Sequence, residues 1–257
     1  MAEEPQNSLL SSHYKLGQNQ GEVERMRNQH EWIKGSFGGL IKAPIDLYKP
    51  HQKILDSATA DGTWICDIAS LFPPETELIG FEVAPQMFRR PEDLPPNVAL
   101  VPGDITKALP QEWNHNFDLV HQRFLCPAFA PDTVREMIGR LMECVKPGGW
   151  IQLVEPAANE NVSASPSSIG WPPSGFVNIN VKTKALVVGV FQHNKELDAR
   201  GRKNFRTIVN NFMQVVDPKT LGVSEENKHT VLDRFNADLE KYRTALRHNI
   251  IWAQRPE

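Results

Sequence analysis

The chain is poor in cysteine, has no long apolar run, and carries no strong excess of either charge. Each shortfall removes a class of function. The three cysteines, Cys66, Cys126 and Cys144, lie far apart in 257 residues and show no C-x-x-C spacing. That pattern argues against a zinc site or a disulfide framework, and free thiols in a reducing cytosol are expected instead. No apolar run approaches the roughly 20 residues that span a bilayer. The opening M-A-E-E-P-Q-N-S is acidic and polar where a signal peptide would be basic and then apolar. A formal net charge of -3 offers no basic face for nucleic acid. No cluster of Asp and Asn has ligand spacing, so no metal is expected. Asn161-Val-Ser163 matches a glycosylation sequon, which in a chain read as cytoplasmic is most simply chance.

What is present is a rhythm. Short apolar runs, K-I-L-D, E-L-I-G-F-E-V, N-V-A-L-V-P-G-D-I, F-D-L-V-H-Q-R-F-L and W-I-Q-L-V-E-P, alternate with helical patterns. W-I-C-D-I-A-S-L-F is apolar at helical spacing and stops at Pro73-Pro74. Asp132 to Val145 is amphipathic and is expected to end at the breaker K-P-G-G. Such alternation implies parallel strands joined by crossovers, an α/β fold with a doubly wound sheet. Ahead of it, Gly21 to Ile41 reads as a helix through Trp32 and Ile33 that breaks at Gly35 or at Gly38-Gly39. Beyond Pro156 the rhythm fails. Residues 159–175 read as a Ser-, Pro- and Asn-rich loop and 178–193 are ambiguous, while 198–216 and 227–247 look helical. N-I-I-W-A-Q-R-P could close the fold as a strand. The chain reads as a single domain: a helical cap over 1–50, a core over 51–156, and a C-terminal region over 157–257.

In an open parallel sheet, ligands bind beyond the carboxyl ends of the strands. Attention therefore falls on Asp56 to Gly62, Glu82, Gly103-Asp104-Ile105, His121 to Arg123, and Glu155. Glu82 lies about 20 residues past the turn, where a carboxylate can accept hydrogen bonds from ribose hydroxyls; a surface glutamate is the plain alternative. Asp104 could accept from an adenine amino group with Ile105 against the ring, or could cap the following segment. The turn itself, D-S-A-T-A-D-G-T-W, holds Ala58 and Ala60 where such turns usually carry glycine, and only Gly62 remains. Asp61 is read either as reaching a ligand's ammonium or as facing water.

Taken together, I-L-D-S-A-T-A-D-G-T-W, I-G-F-E-V, V-P-G-D-I, F-D-L-V-H-Q-R and V-K-P-G-G-W-I-Q-L-V-E resemble the class I S-adenosylmethionine-dependent methyltransferases. The order and spacing fit from about Lys53 to Pro156. Y-K-L-G-Q-N-Q-G-E-V-E-R-M-R-N-Q-H is similar to the N-terminal helix of fungal members that decorate secondary metabolites. The resemblance implies a Rossmann-like, mostly parallel sheet with helices on both faces, and S-adenosylmethionine as cofactor. It places Asp56, Ala58 and Gly62 under the methionine part, Glu82 on the ribose, Asp104 and Ile105 at the adenine, and His121 near the sulfonium. Tyr14, with Gln29 and His30, would lie on the helix that closes over the cofactor, with packing as their alternative role. A pyrophosphate must hug a glycine turn, whereas only the amino-acid end of S-adenosylmethionine crosses it. The two alanines therefore weaken a dinucleotide reading more than a methyl-donor one, and they strain the backbone if their φ is positive.

His121 is the first candidate for a base and Glu155 the second. Arg123 is a candidate to orient an anionic acceptor, and His30, Trp171, Phe176, Phe191 and His193 to wall an apolar acceptor pocket. The preferred reading is a methyltransferase acting on a small molecule at O, N or S. Two others stay open: a methyltransferase-like protein that guides a cyclisation or rearrangement, and a non-catalytic binding partner.

Overall fold

The computed structural model describes residues 20–157, 175–189, 192–215, 224, 227–242 and 244–257. It forms two compact units, one taking in the chain up to Gly38 with Ala185–Leu246, the other Gly39–Lys184 with Arg247–Glu257. These boundaries differ from 50 and 156, because the first helix buries its apolar face with the C-terminal helices in one unit.

That helical unit contains α1 (Gln20–Phe37), α4 (Lys195–Val215) and α5 (Lys228–Lys241). Helix α1 stops where Gly38 and Gly39 take φ of 67° and 112°, a turn that other residues adopt only with strain. Trp32 meets Phe205 edge-on at 5.6 Å. Glu22 and Arg25 form a buried ion pair at 2.6 Å, and Arg25 Nη1 also donates to Asn204 Oδ1 at 3.0 Å. His30 is buried in this unit. His193 is exposed, just ahead of α4.

The other unit carries the sheet, built from β1 (Lys53–Ser57), β2 (Glu77–Glu82), β3 (Val98–Pro102), β4 (Phe117–Arg123), β5 (Val145–Pro156), β6 (Val177–Val188) and β7 (Thr244–Gln254). The far ends of β6 and β7, 185–188 and 244–246, count with the helical unit. The strand order is β3-β2-β1-β4-β5-β7-β6. Strands β1 to β5 pair in parallel and β7 runs antiparallel to β5. The chain leaves β1 toward β2 on one side and returns to β4 on the other, so the topological switch lies between β1 and β4.

Alternation along the strands fills two cores. Ile54 and Leu119 face α2 (Thr63–Ala69), where they join Trp64, Ile65, Ile68, Leu78 and Trp150. Leu55 and Val120 face the opposite way, toward Val134, Met137 and Leu141 of α3 (Pro131–Cys144). A doubly wound, mostly parallel sheet with helices on both faces is what the rhythm of apolar runs implied.

Three expectations are corrected. K-P-G-G does not separate helix from strand: α3 ends at Cys144 and β5 starts at Val145. The four residues instead bulge out of β5, whose register against β4 jumps from Phe117↔Val145 to Leu119↔Trp150. Gly149 suits the bulge, since a Cβ there would lie 2.8 Å from the Phe117 carbonyl. The ambiguous stretch 178–193 is largely β6, and the helix read over 227–247 stops at Lys241 because β7 begins at Thr244.

Gly80, in the middle of β2, lets the turn after β1 lie against the sheet. A Cβ there would stand 2.8 Å from Thr59 Oγ1 and 2.9 Å from Leu100 Cδ2. Gly80→Ala is expected to destabilise the protein by about 1–3 kcal/mol, read as a lower denaturant midpoint with an unchanged slope.

Candidate functional site

The parallel register sets Asp56 at the end of β1 directly beside His121 of β4. The Asp56 carboxylate is buried and both its oxygens are engaged. Oδ1 lies 2.8 Å from His121 Nδ1, and Oδ2 accepts from Thr59 Oγ1 at 2.6 Å. A carboxylate accepts, so the imidazole carries its proton on Nδ1 and presents Nε2 as a bare acceptor. Nε2 is buried and has no hydrogen-bond partner among the described residues. Trp64 stacks flat on the ring, centroids 3.6 Å apart and planes within 4°. Burial pushes the imidazole pKa down, against the opposing pull of Asp56. At neutral pH the ring is an uncharged, oriented base.

The turn that follows β1 is tightly wound. Thr59 N–H donates to the Phe81 carbonyl and Gly62 N–H to the Thr59 carbonyl, each at 3.0 Å. Ala58, Ala60 and Gly62 have φ of 50°, 55° and 80°. Both alanines therefore sit in the left-handed region, the strained case. Asp61 neither faces water nor stands free for a ligand. It is buried, its Oδ1 accepts from Thr63 N–H at 3.1 Å and Thr63 Oγ1 at 2.6 Å, and Arg89 reaches its Oδ2 at 3.4 Å. One residue ahead of the N-cap Gly62, it forms an Asx turn that takes up the first amide of α2.

Glu82, at the end of β2, turns toward this loop. Its Oε2 accepts from Ala60 N–H at 3.1 Å, and its Oε1 accepts from Val83 N–H at 2.9 Å and Ala84 N–H at 3.2 Å. Burial raises its pKa, with the three amides opposing. A carboxylate has about four lone-pair sites, so one remains for a ligand hydroxyl. Asp104 holds its own turn: Oδ1 accepts from Thr106 N–H at 2.9 Å and Thr106 Oγ1 at 2.7 Å, while Lys107 stands 3.7 Å from Oδ2. Ile105 is buried against Phe81 and Val120 in the α3-side core.

Glu155 and Gln122 occupy the opposite face of the sheet from His121. Glu155 Oε1 accepts from Gln122 Nε2 at 3.1 Å and from Leu125 N–H at 3.2 Å, and Oε2 is buried without a partner. Burial pushes the Glu155 pKa up to about 7. The neighbouring Cys126 thiol is also pushed up, first by burial and then by Glu155. Arg123, the last residue of β4, has a buried Nη1 with no hydrogen-bond partner. The next residue, Phe124, takes φ of 58°, which for a bulky side chain marks strain.

The structure thus gathers Asp56, Ala58, Gly62, Glu82 and His121 around one turn, with Arg123 on the His121 face. Glu155 stands at the same strand ends on the other face, and Phe176 packs against the core there. Tyr14, Trp171 and Phe191 lie outside the described residues. Sequence reasoning missed Trp64 and Arg89, and it gave no role of their own to Thr59 and Gln122 within the stretches it singled out. Trp64, two residues past Gly62 on the first turn of α2, was the one with a signal, since an aromatic there must face the sheet.

Comparison with known proteins bears on the family and the fold. The family described as "Methyltransferase domain" matches residues 54–149. The chain is 53% identical to the N-methyltransferase verN of Clonostachys rogersoniana, over 95% of this chain and 93% of that one. It is 28% identical to the N-methyltransferase gliN of Aspergillus fumigatus, over 95% and 96% of the two chains. In fold it is similar to a chain from the Haloferax volcanii complex of the Trm112 methyltransferase activator with its methyltransferase, with a TM-score of 0.54, 11% identity and all of both chains covered.

The strain in the turn can be measured. An L-residue in the left-handed region costs about 1–2 kcal/mol, part of which glycine's greater unfolded-state freedom offsets. Ala58→Gly and Ala60→Gly are each expected to stabilise the protein by roughly 0.5–1 kcal/mol in denaturant unfolding. Destabilisation by both would show that the alanine methyls are held by packing.

Proposed function

The chain belongs to the class I S-adenosylmethionine-dependent methyltransferases of fungal secondary-metabolite type, and from that premise we propose that it methylates a nitrogen of a small-molecule acceptor. Two relatives named N-methyltransferases support the nitrogen. The single observation that carries the chemistry is the Asp56–His121 pair with its unpartnered Nε2.

The residues present fit the cofactor. A buried acceptor, His121 Nε2, and a buried donor, Arg123 Nη1, both lack partners on the face that holds the turn. Gly80 lets that turn press against β2. We propose that Glu82 holds the ribose through its remaining lone pair, that the loop from Asp56 to Gly62 passes beneath the amino-acid end, and that Asp104 and Ile105 border the adenine. Asp56 contributes through His121 and Thr59, since both its oxygens are already engaged.

S-adenosylmethionine supplies, when bound, a methyl group already activated on a sulfonium. The protein has to align the acceptor, exclude water and remove a proton. His121 Nε2 takes the proton that the nitrogen loses as its bond to methyl forms and the methyl–sulfur bond breaks. Asp56 fixes the tautomer and stabilises the imidazolium that results, the division of labour seen wherever a carboxylate backs a histidine base. The Trp64 face keeps the ring in one plane.

Two measurements test this reading. In titration calorimetry with S-adenosylhomocysteine, Glu82→Ala is expected to weaken binding at least ~10-fold, on the order of one lost charge-assisted hydrogen bond. Unchanged affinity would remove Glu82 from the cofactor site. The pH profile of kcat separates the two candidate bases. His121 has a pKa lowered from 6.5, so its neutral form persists down to below that value and is lost as pH falls further. A carboxylate base at Glu155 would lose activity as pH falls through about 7. The expected acid limb lies below 6.5 and disappears in His121→Ala along with most of the rate. A limb near 7 that vanishes in Glu155→Gln would move the role to Glu155.

A further inference from the structure

Arg123 is an unusual arginine in this molecule. In the same unit, Arg89 and Arg140 hold carboxylates, at 3.4 Å to Asp61 and 3.2 Å to Glu136. Arg255 donates to the carbonyls of Met142 and Val145. The Arg123 side chain makes no ion pair with any described residue, and its Nη1 is buried with no hydrogen-bond partner among them. Burial lowers its pKa to about 10, so it remains a cation at neutral pH. The side chain as a whole is half-buried, yet Nη1 is shut off from water, and a buried N–H without an acceptor is costly unless something arrives to accept from it.

The surroundings say what that something is. Arg123 and His121 are two apart on β4 and share a face of the sheet with Asp56. Asp56, Asp61 and Asp67 act on Arg123 through space. The first is bonded to His121 and Thr59, the second to Thr63 and Arg89. Two of the three carboxylates are thus engaged elsewhere, one of them partly by a second cation, Arg89. A separate anionic acceptor would face three aspartates with little to offset them. An amino-acid zwitterion beside a sulfonium brings its own positive charges to the aspartates and one carboxylate for the guanidinium. The strained φ of 58° at Phe124 fixes the backbone immediately after Arg123, as is common where a side chain must be held for a ligand.

We infer that Arg123 is the anion anchor of the site and that it takes the carboxylate at the amino-acid end of the bound methyl donor. This rests on the proposed methyl-transfer reading. It reassigns Arg123 from acceptor orientation to donor binding.

The test compares two ligands that differ in that carboxylate. S-adenosylhomocysteine carries the amino-acid end, and 5′-methylthioadenosine lacks it. Calorimetry on the full chain is expected to show Arg123→Met weakening S-adenosylhomocysteine about 10- to 100-fold, the range for a lost hydrogen-bonded charge. Arg123→Lys, which keeps the charge but not the planar fork, should fall between. Binding of 5′-methylthioadenosine should stay within about twofold for both variants, which also certifies that they fold. Equal losses for both ligands would make Arg123 a structural residue and overturn the inference. Unchanged S-adenosylhomocysteine affinity with a raised acceptor KM would assign the guanidinium to an anionic acceptor and overturn it likewise. If the unaltered protein bound neither ligand, the methyl-transfer reading would fail, and this assignment with it.

Discussion

One buried carboxylate organises the site. Asp56 ends β1, lies level with His121 on the neighbouring strand, and divides its two oxygens between the imidazole and the Thr59 hydroxyl. The first contact sets the tautomer and aim of the histidine at the switch point. The second closes the turn in which Ala58 and Ala60 are strained. Without Asp56, the turn would lose its inner tether and His121 would lose the acceptor that leaves Nε2 bare. Charge-assisted hydrogen bonds in a dry setting are strong enough to hold both arrangements at once.

The strain is distributed in a way that fits this. Three of the six non-glycine residues with positive φ among the described residues stand at the two strand ends that flank the topological switch, Ala58 and Ala60 after β1 and Phe124 after β4; His51, His115 and Asn178 lie elsewhere. Two of them are held by hydrogen bonds to distant residues: Glu82 accepts from Ala60 N–H, and Phe124 N–H donates to the Val154 carbonyl at 3.0 Å. The surrounding sheet, buried on both faces, over-determines these turns. A turn lacking two of its usual glycines is therefore still wound in the shape that glycine would adopt. The alanine methyls change its energy and not its course.

The sheet was legible because its strands are short apolar runs separated by helical spacing, a signal that survives without any tertiary knowledge. The functional strand ends were legible for the same reason, since topology alone directs ligands there. What could not be read is everything decided across strands. Asp61 was misplaced because its partners, Thr63 and Arg89, include a side chain 28 residues away. Trp64 gains its meaning only when α2 lays it on His121. K-P-G-G has the composition of a breaker, and only the β4 register shows that it is a bulge. β6 stayed ambiguous because its apolar residues Val177, Ile179 and Val181 are exposed, so its pattern does not report a buried face.

The two candidate bases illustrate how a sheet separates groups that lie close in sequence. His121 and Gln122 are neighbours on β4, yet their side chains leave by opposite faces. Gln122 therefore meets Glu155, while His121 meets Asp56 and Trp64. Glu155 spends one oxygen on Gln122 and on Leu125 N–H, the amide just beyond the strained Phe124. That makes it the fastener of the β4 turn. His121 has the reverse arrangement: its inner nitrogen is fastened and its outer one is bare. A group that must exchange a proton during turnover should have its position fixed by atoms that do not take part in the exchange. His121 meets that condition, whereas protonating Glu155 would loosen the same contacts that hold the loop in place.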